Sequence, residues 1–109
     1  MEKILLVTGG SRGIGAATAR LAAQRGYAVC VNYRENRAAA EALVDELKSL
    51  GSRAIAVAAD VSVEADVLQL FAAVDRELGP LTALVNNAGI VVRSGTRIAD
   101  VDAARLQRI

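Results

Sequence analysis

The sequence has no histidine and no tryptophan, and its 109 residues include a single cysteine. One cysteine excludes a disulfide within the chain, and the lack of histidine excludes the mixed ligand sets that bind zinc. We therefore predict no metal site. Cys30 lies in an apolar run at residues 28–31, and we interpret it as a buried core thiol.

Neither sign of charge is in excess, because the formal net charge is +1 and the charged residues are dispersed. This balance gives no electrostatic basis for binding nucleic acid or an anionic membrane surface. No apolar run reaches the length of a membrane span, and the apolar run after Lys3 is too short for a signal peptide. We predict a cytoplasmic protein with no nucleic-acid partner and no membrane partner.

Aromatic residues are scarce, at 3%, whereas hydrophobic residues make up 53% of the chain. The core must therefore consist of alanine, valine, leucine and isoleucine, which suit helices packed on a parallel sheet. A chain of this length forms one domain at most, and we assign residues 1–109 to it.

A glycine-rich stretch follows the first apolar run. Residues 8–15 contain four glycines, between the apolar residues 4–7 and an alanine-rich helical pattern. A strand, a glycine turn and a helix start present free backbone N–H groups to an anion. The spacing Gly9-x-x-x-Gly13-x-Gly15 differs from the Gly-x-Gly-x-x-Gly of the usual dinucleotide fingerprint. We interpret the stretch as a phosphate-binding loop, and the alternative is a flexible turn.

Apolar runs alternate with helical patterns along the rest of the chain, which predicts βαβ units and a parallel sheet. With right-handed crossovers the expected strand order is 3-2-1-4, in a doubly wound α/β fold with helices on both faces. The ligand crevice of such a sheet lies at the carboxyl ends of strands 1 and 4. The predicted strands are residues 4–7, 28–31, 53–59 and 81–85, and the predicted helices begin near residues 14, 37, 62 and 102.

Helical periodicity assigns an inner face to each helix. We predict that residues 32–36 form a loop after strand 2, and that Ser62 is the N-cap of the third helix. The predicted inner stripes are Ile14, Ala17, Leu21 and Ala22 in the first helix, Ala40, Leu43, Leu47 and Leu50 in the second, and Val67, Phe71, Val74 and Leu78 in the third.

Three motifs occur in a defined order: Thr8-Gly9-x-x-x-Gly13-Ile14-Gly15, then Asp60 after strand 3, then Asn86-Asn87-Ala88-Gly89 after strand 4. In order and spacing the chain resembles the classical short-chain dehydrogenases/reductases. The resemblance implies a Rossmann-type sheet whose first loop holds a cofactor pyrophosphate, while Asp60 and Val61 contact the adenine and the last motif lies along a ribose. The residues that these motifs assign to the cofactor are Gly9, Ser11, Arg12, Gly13, Ile14, Gly15, Asp60, Val61, Asn87, Ala88 and Gly89.

Two of the motif residues have alternative, purely structural interpretations. Asp60 can simply precede the helix that starts at Ser62. Asn86 is expected to be structural, with its side chain bonding backbone groups across the sheet.

Charge indicates which cofactor is preferred. An acid at the end of strand 2 usually holds the ribose 2′-hydroxyl of NAD, but Asn32 and Tyr33 occupy that place here. Arg12 in the glycine loop and Arg34 after strand 2 suit a 2′-phosphate instead, because guanidinium groups bind phosphate through charge-assisted hydrogen bonds. We therefore predict NADP in preference to NAD, with Asn32, Tyr33 and Arg34 at the adenosine end. The alternative is that Arg34 pairs with Glu35.

The resemblance also implies a catalytic serine, a Tyr-x-x-x-Lys arrangement and an assisting asparagine, none of which this sequence contains. Val31 and Arg37 stand four residues after Tyr27 and Tyr33. We expect residues 1–109 to be the cofactor-binding portion of a longer polypeptide, inactive alone, with its catalytic residues beyond Ile109.

The predicted function is an NADP(H)-dependent oxidoreductase that transfers hydride between the nicotinamide and a carbonyl or alcohol substrate. The full-length protein is expected to be a homo-oligomer. One alternative is a non-catalytic NAD(P)-binding or regulatory module on the same fold, and a further one is a mononucleotide or methyl-donor site.

Overall fold

A computed structural model of the protein describes residues 2–11 and 13–87, in which four strands alternate with three helices. No helix in these residues has both the length and the hydropathy needed to cross a bilayer. The elements are β1 (Ile4–Thr8), α1 (Gly13–Gln24), β2 (Ala28–Tyr33), α2 (Arg37–Ser49), β3 (Ala54–Ala58), α3 (Glu64–Glu77) and β4 (Ala83–Asn86).

The strands form one parallel sheet in the order β3-β2-β1-β4, which confirms the predicted Rossmann-type order. In the registers, Thr8 at the end of β1 lies opposite Asn86 of β4, and Tyr33 at the end of β2 lies opposite Ala58 of β3. All four strands therefore end at the same edge of the sheet. The loops that follow them are brought together there by the topology alone.

Helices cover both faces of the sheet, and this explains why every residue of β1 and β2 is buried. Alternate residues of a strand point to opposite faces. Leu5 and Val7 pack with α1 and α2, whereas Ile4 and Leu6 pack with α3. A strand covered on both faces shows a continuous apolar run without alternation.

The predicted inner face of α1 is wrong except at Ala22, which is buried. Ile14 and Leu21 are 77% and 48% exposed, and the helix instead buries only glycine and alanine. The reason is close packing against the glycine loop: a Cβ on Gly15 would lie 2.8 Å from the Gly10 Cα. Only residues without bulk fit between the helix and the sheet. The buried residues of α1 are Gly15, Ala16, Ala19, Ala22 and Ala23.

The predicted loop at residues 32–36 is also wrong at its start, since β2 continues through Asn32 and Tyr33. Tyr33 pairs with Ala58 in the ladder. Neither residue belongs to the apolar run that marked the strand, but both are nearly inaccessible to solvent. Burial of a polar residue inside a strand is a tertiary effect that an apolar run does not reveal.

The inner stripes of α2 and α3 are confirmed in part. In α2, Leu50 is 47% exposed because the helix ends at Ser49, and Val44 is buried in its place. In α3, Leu70 is 1% exposed and Phe71 only partly buried, so the stripe is shifted by one position there. The N-cap is Val63, without a side-chain hydrogen bond, and the prediction of Ser62 is wrong.

Cys30 is fully buried between the sheet and α3, and burial raises the pKa of its thiol to about 12. Because the thiolate is the reactive form, we expect a disulfide reagent at pH 8 to modify the folded protein on the order of a thousandfold more slowly than the unfolded chain. The time course of thiol modification, followed by absorbance with and without denaturant, measures both rates. Comparable rates in the two states would contradict the buried position.

Candidate functional site

A cavity of about 370 Å³ opens at the carboxyl edge of the sheet, beside the loops that follow β1, β2 and β3. It brings together seven of the residues assigned to a ligand from the sequence. It also includes three residues that were not assigned: Glu35, Asn36 and Ala59. The seven are Gly9, Ser11, Asn32, Tyr33, Arg34, Asp60 and Val61.

The glycine loop leaves β1 with Gly9 at φ 59°, a left-handed conformation that favours glycine. Gly15 serves a different purpose, because a Cβ there would meet the side-chain nitrogen of Asn87 at 2.6 Å and the Gly9 carbonyl at 2.9 Å. The loop therefore packs directly on the first turn of α1. The N–H groups of that turn have no intrahelical acceptors, as at any helix start, so they are suited to an anion.

Asn32 is 2% exposed and joins the glycine loop to the neighbouring strands. Its Oδ1 accepts a hydrogen bond from the N–H of Gly9 at 3.2 Å. Its Nδ2 donates to the carbonyl of Ala59 at 3.1 Å and lies 3.3 Å from that of Val57. Its backbone carbonyl accepts from the N–H of Gly10 at 3.0 Å. The amide group thus faces the protein interior at the base of the cavity.

Arg34 follows β2 and is the exposed cation of the cavity, with 68% of its side chain accessible. Its Nε lies 3.5 Å from Oδ2 of Asp60, across the cavity. The expected alternative, a pair with the adjacent Glu35, is wrong. The two residues that sequence analysis assigned separately to the adenosine end are in fact an ion pair.

The Asp60 carboxylate is held by the turn that follows β3. Its Oδ1 accepts hydrogen bonds from the hydroxyl of Ser62 at 2.6 Å and from its N–H at 2.9 Å. These bonds, with a smaller contribution from the Arg34 guanidinium, hold the pKa of Asp60 below its ordinary value. The N–H of Asp60 donates to Asp66 at 2.8 Å. Asp60 is therefore an anion at neutral pH, fixed in place ahead of α3.

The loops after β1 and β4 are connected by asparagine side chains. Asn87 donates from Nδ2 to the carbonyl of Gly9 at 3.0 Å. One strand position earlier, the hydroxyl of Thr8 donates to Oδ1 of Asn86 at 2.9 Å. Asn86 thus links β1 to β4 as a structural residue, although its partner is a hydroxyl and not the backbone group that was predicted.

Five assigned residues remain. Ile14 is largely exposed at the start of α1 and does not line the cavity, and Gly13 beside it has φ 65°. The predictions for Arg12, Ala88 and Gly89 lie outside the described residues. Of the unassigned lining residues, Ala59 directly follows β3, and Asn36 lies three residues after the end of β2. Arg34 and Asp60 were selected because they follow strands 2 and 3, and including one or two more residues of each loop would have found Asn36 and Ala59.

Among residues 2–11 and 13–87, no three acidic, cysteine or histidine side chains are grouped closely enough to hold a metal ion. The polar groups of the cavity are instead backbone N–H groups, a guanidinium and a carboxylate. This combination suits a ligand with phosphate groups and a hydrogen-bonding base.

Residues 3–109 match the model of a family described as short chain dehydrogenase. The chain belongs to the short-chain dehydrogenase family. The resemblance inferred from its three motifs is thereby confirmed. The cavity of this family member lies beside the first and second of those motifs, since both follow strands of the same sheet.

Similar proteins are oxidoreductases. The uncharacterized oxidoreductase YgfF of Escherichia coli is 47% identical over 106 residues, which are 97% of this chain and 42% of YgfF. Versicolorin reductase stcU of Emericella nidulans is 45% identical over 98% of this chain and 40% of its own length. The chain thus spans less than half the length of these curated relatives.

A solved short-chain dehydrogenase/reductase from Serratia marcescens shares the fold. It aligns with a TM-score of 0.79 and 32% identity, covering 95% of this chain and 50% of that structure. The alignment supports the strand order and the two-faced helix packing described above.

Proposed function

We propose that this chain forms the cofactor-binding part of an NADP(H)-dependent oxidoreductase that transfers hydride between the nicotinamide and a carbonyl or alcohol carbon. One observation carries the proposal: the glycine loop, Arg34 and Asp60 line the same cavity. Membership of the short-chain dehydrogenase family supports the reaction class. A bound nicotinamide would supply the hydride chemistry, and the residues of this chain bind and orient it.

The pyrophosphate is assigned to the glycine loop and the start of α1. Gly9 and Gly13 adopt left-handed conformations, and the absence of side chains permits a close approach of phosphate oxygens to backbone N–H groups. Asn87 holds the Gly9 carbonyl away from this surface, toward β4. Ser11, Arg12, Ile14 and Gly15 belong to the same proposed phosphate site, and Ala88 and Gly89 to the proposed ribose site.

Two features favour NADP over NAD. No acid stands at the end of β2, where a carboxylate would hold a ribose 2′-hydroxyl, because Asn32 and Tyr33 occupy those positions. Arg34 instead presents a guanidinium at the cavity, with its Nε 3.5 Å from Asp60 Oδ2 and its side chain 68% exposed. An exposed guanidinium of this kind can bind a 2′-phosphate while Asp60 and Val61 contact the adenine.

Replacing Arg34 with alanine tests the phosphate assignment. We expect R34A to weaken NADPH binding about ten- to a hundredfold and to leave NADH binding unchanged, because one charge-assisted contact contributes about 1.5–3 kcal/mol. Calorimetric titration of the intact protein with each cofactor measures both values of Kd.

Arg37 provides a matched control. It is another exposed arginine, and it pairs with Glu41 one helical turn further on. R37A should bind both cofactors as the wild type does. If R34A lost affinity for NADH as much as for NADPH, Arg34 would not be the 2′-phosphate ligand. If the wild type bound neither cofactor, the proposed function itself would be wrong.

The proposal gives this chain the binding role and not the catalytic one. Neither of its tyrosines has a lysine four residues later, so the arrangement that the family uses for proton transfer is not in this sequence. Oxidation of NADPH by the intact protein in the presence of carbonyl compounds would separate an enzyme from a non-catalytic binding module.

A further inference from the structure

The side-chain amide of Asn32 makes its hydrogen-bond contacts with the protein itself. It is one of only two polar residues among the buried residues of the described chain, the other being Thr8. Both ends of its amide are used: Oδ1 accepts from Gly9, and Nδ2 faces the carbonyls of Val57, Ala59 and Tyr33 at 3.1–3.4 Å. Its side chain is therefore directed into the protein and away from a ligand.

We infer that Asn32 is a positioning residue that sets the glycine loop relative to the adenosine end of the cavity. The inference rests on the proposed function, since it assigns the loop to phosphate and the ends of β2 and β3 to the adenosine. The amide connects three segments, one of which precedes Arg34 and another of which precedes Asp60. A dinucleotide contacts all three at once, so its affinity depends on their spacing.

Asparagine suits this role because it is both donor and acceptor. An acceptor alone would hold Gly9 but would repel the carbonyls at the end of β3, and a donor alone would hold β3 but not the loop. A buried polar group is tolerated when all of its hydrogen-bonding atoms have partners. Among the described residues, every buried side-chain nitrogen and oxygen has a hydrogen-bond partner. The geometry thus separates Asn32, which positions the site, from Arg34, which discriminates between cofactors.

Amide hydrogen exchange can test the hydrogen bond from the Gly9 N–H to Asn32 Oδ1 without any cofactor. We call this hydrogen bond the tether. In N32A, the N–H of Gly9 loses its acceptor, whereas the N–H of Gly10 keeps the backbone carbonyl of residue 32. We expect exchange at Gly9 to become at least about tenfold faster relative to exchange at Gly10. The amide of Leu6 in the centre of the sheet reports global opening and serves as the reference. Equal acceleration at Gly9 and Gly10 would overturn the inference.

The wild type offers a second measurement should N32A not fold. The side-chain NH₂ of Asn32 is expected to exchange slowly in the folded protein, because it faces carbonyls in a site that is 2% exposed. A rate equal to that of an exposed asparagine such as Asn36 would contradict the tether.

Cofactor titration then distinguishes positioning from discrimination. N32A, corrected for its folded fraction, should bind NADPH and NADH about tenfold more weakly, leaving the ratio of the two affinities unchanged. R34A should change that ratio. Unaltered Kd values in folded N32A would mean that Asn32 is merely structural. If the wild type bound neither cofactor, the proposed function would fail, and the Gly9 exchange rates would still decide whether the tether exists.

Discussion

Replacing Asn32 with aspartate should destabilise the protein by about 3–5 kcal/mol at neutral pH, although the two side chains have nearly the same shape. The wild-type Nδ2 donates toward three carbonyls, the nearest of which is Ala59 at 3.1 Å. A carboxylate at residue 32 would place a negative oxygen against those acceptors in a site that is 2% exposed. Urea denaturation of the intact protein, compared with the wild type, measures the loss.

The loss of folding stability in N32D should increase as the pH rises. Burial and the facing carbonyls raise the pKa of the introduced carboxyl above its unfolded value of about 3.9. The unfolded chain therefore releases its proton first, and the variant loses up to about 1.4 kcal/mol per pH unit from pH 4 up to the raised pKa. N32D should consequently be closest to the wild type in mild acid. A loss that does not change between pH 5 and pH 8 would contradict this explanation.

Asn36 provides the control for the same chemical change. It is exposed at the N-cap of α2, where its side chain accepts a hydrogen bond from the N–H of Ala39. Aspartate makes the same bond and is as favourable as asparagine at an N-cap. N36D should therefore be as stable as the wild type within about 0.5 kcal/mol. A large loss in N36D would show that the denaturation measures something other than burial of charge.

A methyl group at Gly15 should lower both stability and cofactor affinity. The added Cβ of G15A would lie 2.8 Å from the Gly10 Cα and 2.9 Å from the Gly9 carbonyl. Backbone atoms cannot move aside as a flexible side chain can, so α1 and the glycine loop must separate. Overpacking of this kind costs about 1–3 kcal/mol. We also expect binding of NADPH and NADH to fall at least about tenfold, as measured by calorimetry, because displacement of the loop moves the proposed phosphate site.

Replacing Gly26 with alanine is the control for G15A, because it removes a glycine without creating a steric clash. It ends α1 at φ 90°, and a Cβ there would meet nothing within 4 Å. G26A should cost about 1–2 kcal/mol through its left-handed backbone and leave cofactor affinity unchanged. If G15A bound both cofactors normally, the contact between loop and helix would not position the site.

Local sequence patterns were sufficient for the elements and their order. Apolar runs and helical stripes depend on neighbours a few residues away, and right-handed crossovers leave few arrangements of parallel strands. The order β3-β2-β1-β4 and the family therefore agreed with prediction. Where periodicity failed, as at Ile14 in α1, the cause was a tight contact with a distant loop that periodicity does not describe.

Polar contacts at the site were less predictable. The alternative that sequence analysis offered for Arg34 was a pair with the adjacent Glu35, but the turn after β3 brings Asp60 to it. Asn32 was assigned to the ligand from its position after the second apolar run. In the structure its amide is bonded to Gly9 and to Ala59, which are 23 and 27 residues away in the chain. Sequence separations of this size are bridged only when the strands pair.

The sequence by itself determined the kind of protein: a parallel α/β sheet of the short-chain dehydrogenase family, with glycines and polar residues following its strands. Tertiary structure alone decided which groups each of those polar residues contacts. Parallel pairing brings the ends of the strands to one edge, and burial there forces an asparagine such as Asn32 to satisfy its amide within the protein. Exposure leaves Arg34 directed to the cavity. Which side chain turns inward depends on the space and partners that the assembled sheet provides, and a linear sequence does not contain that information.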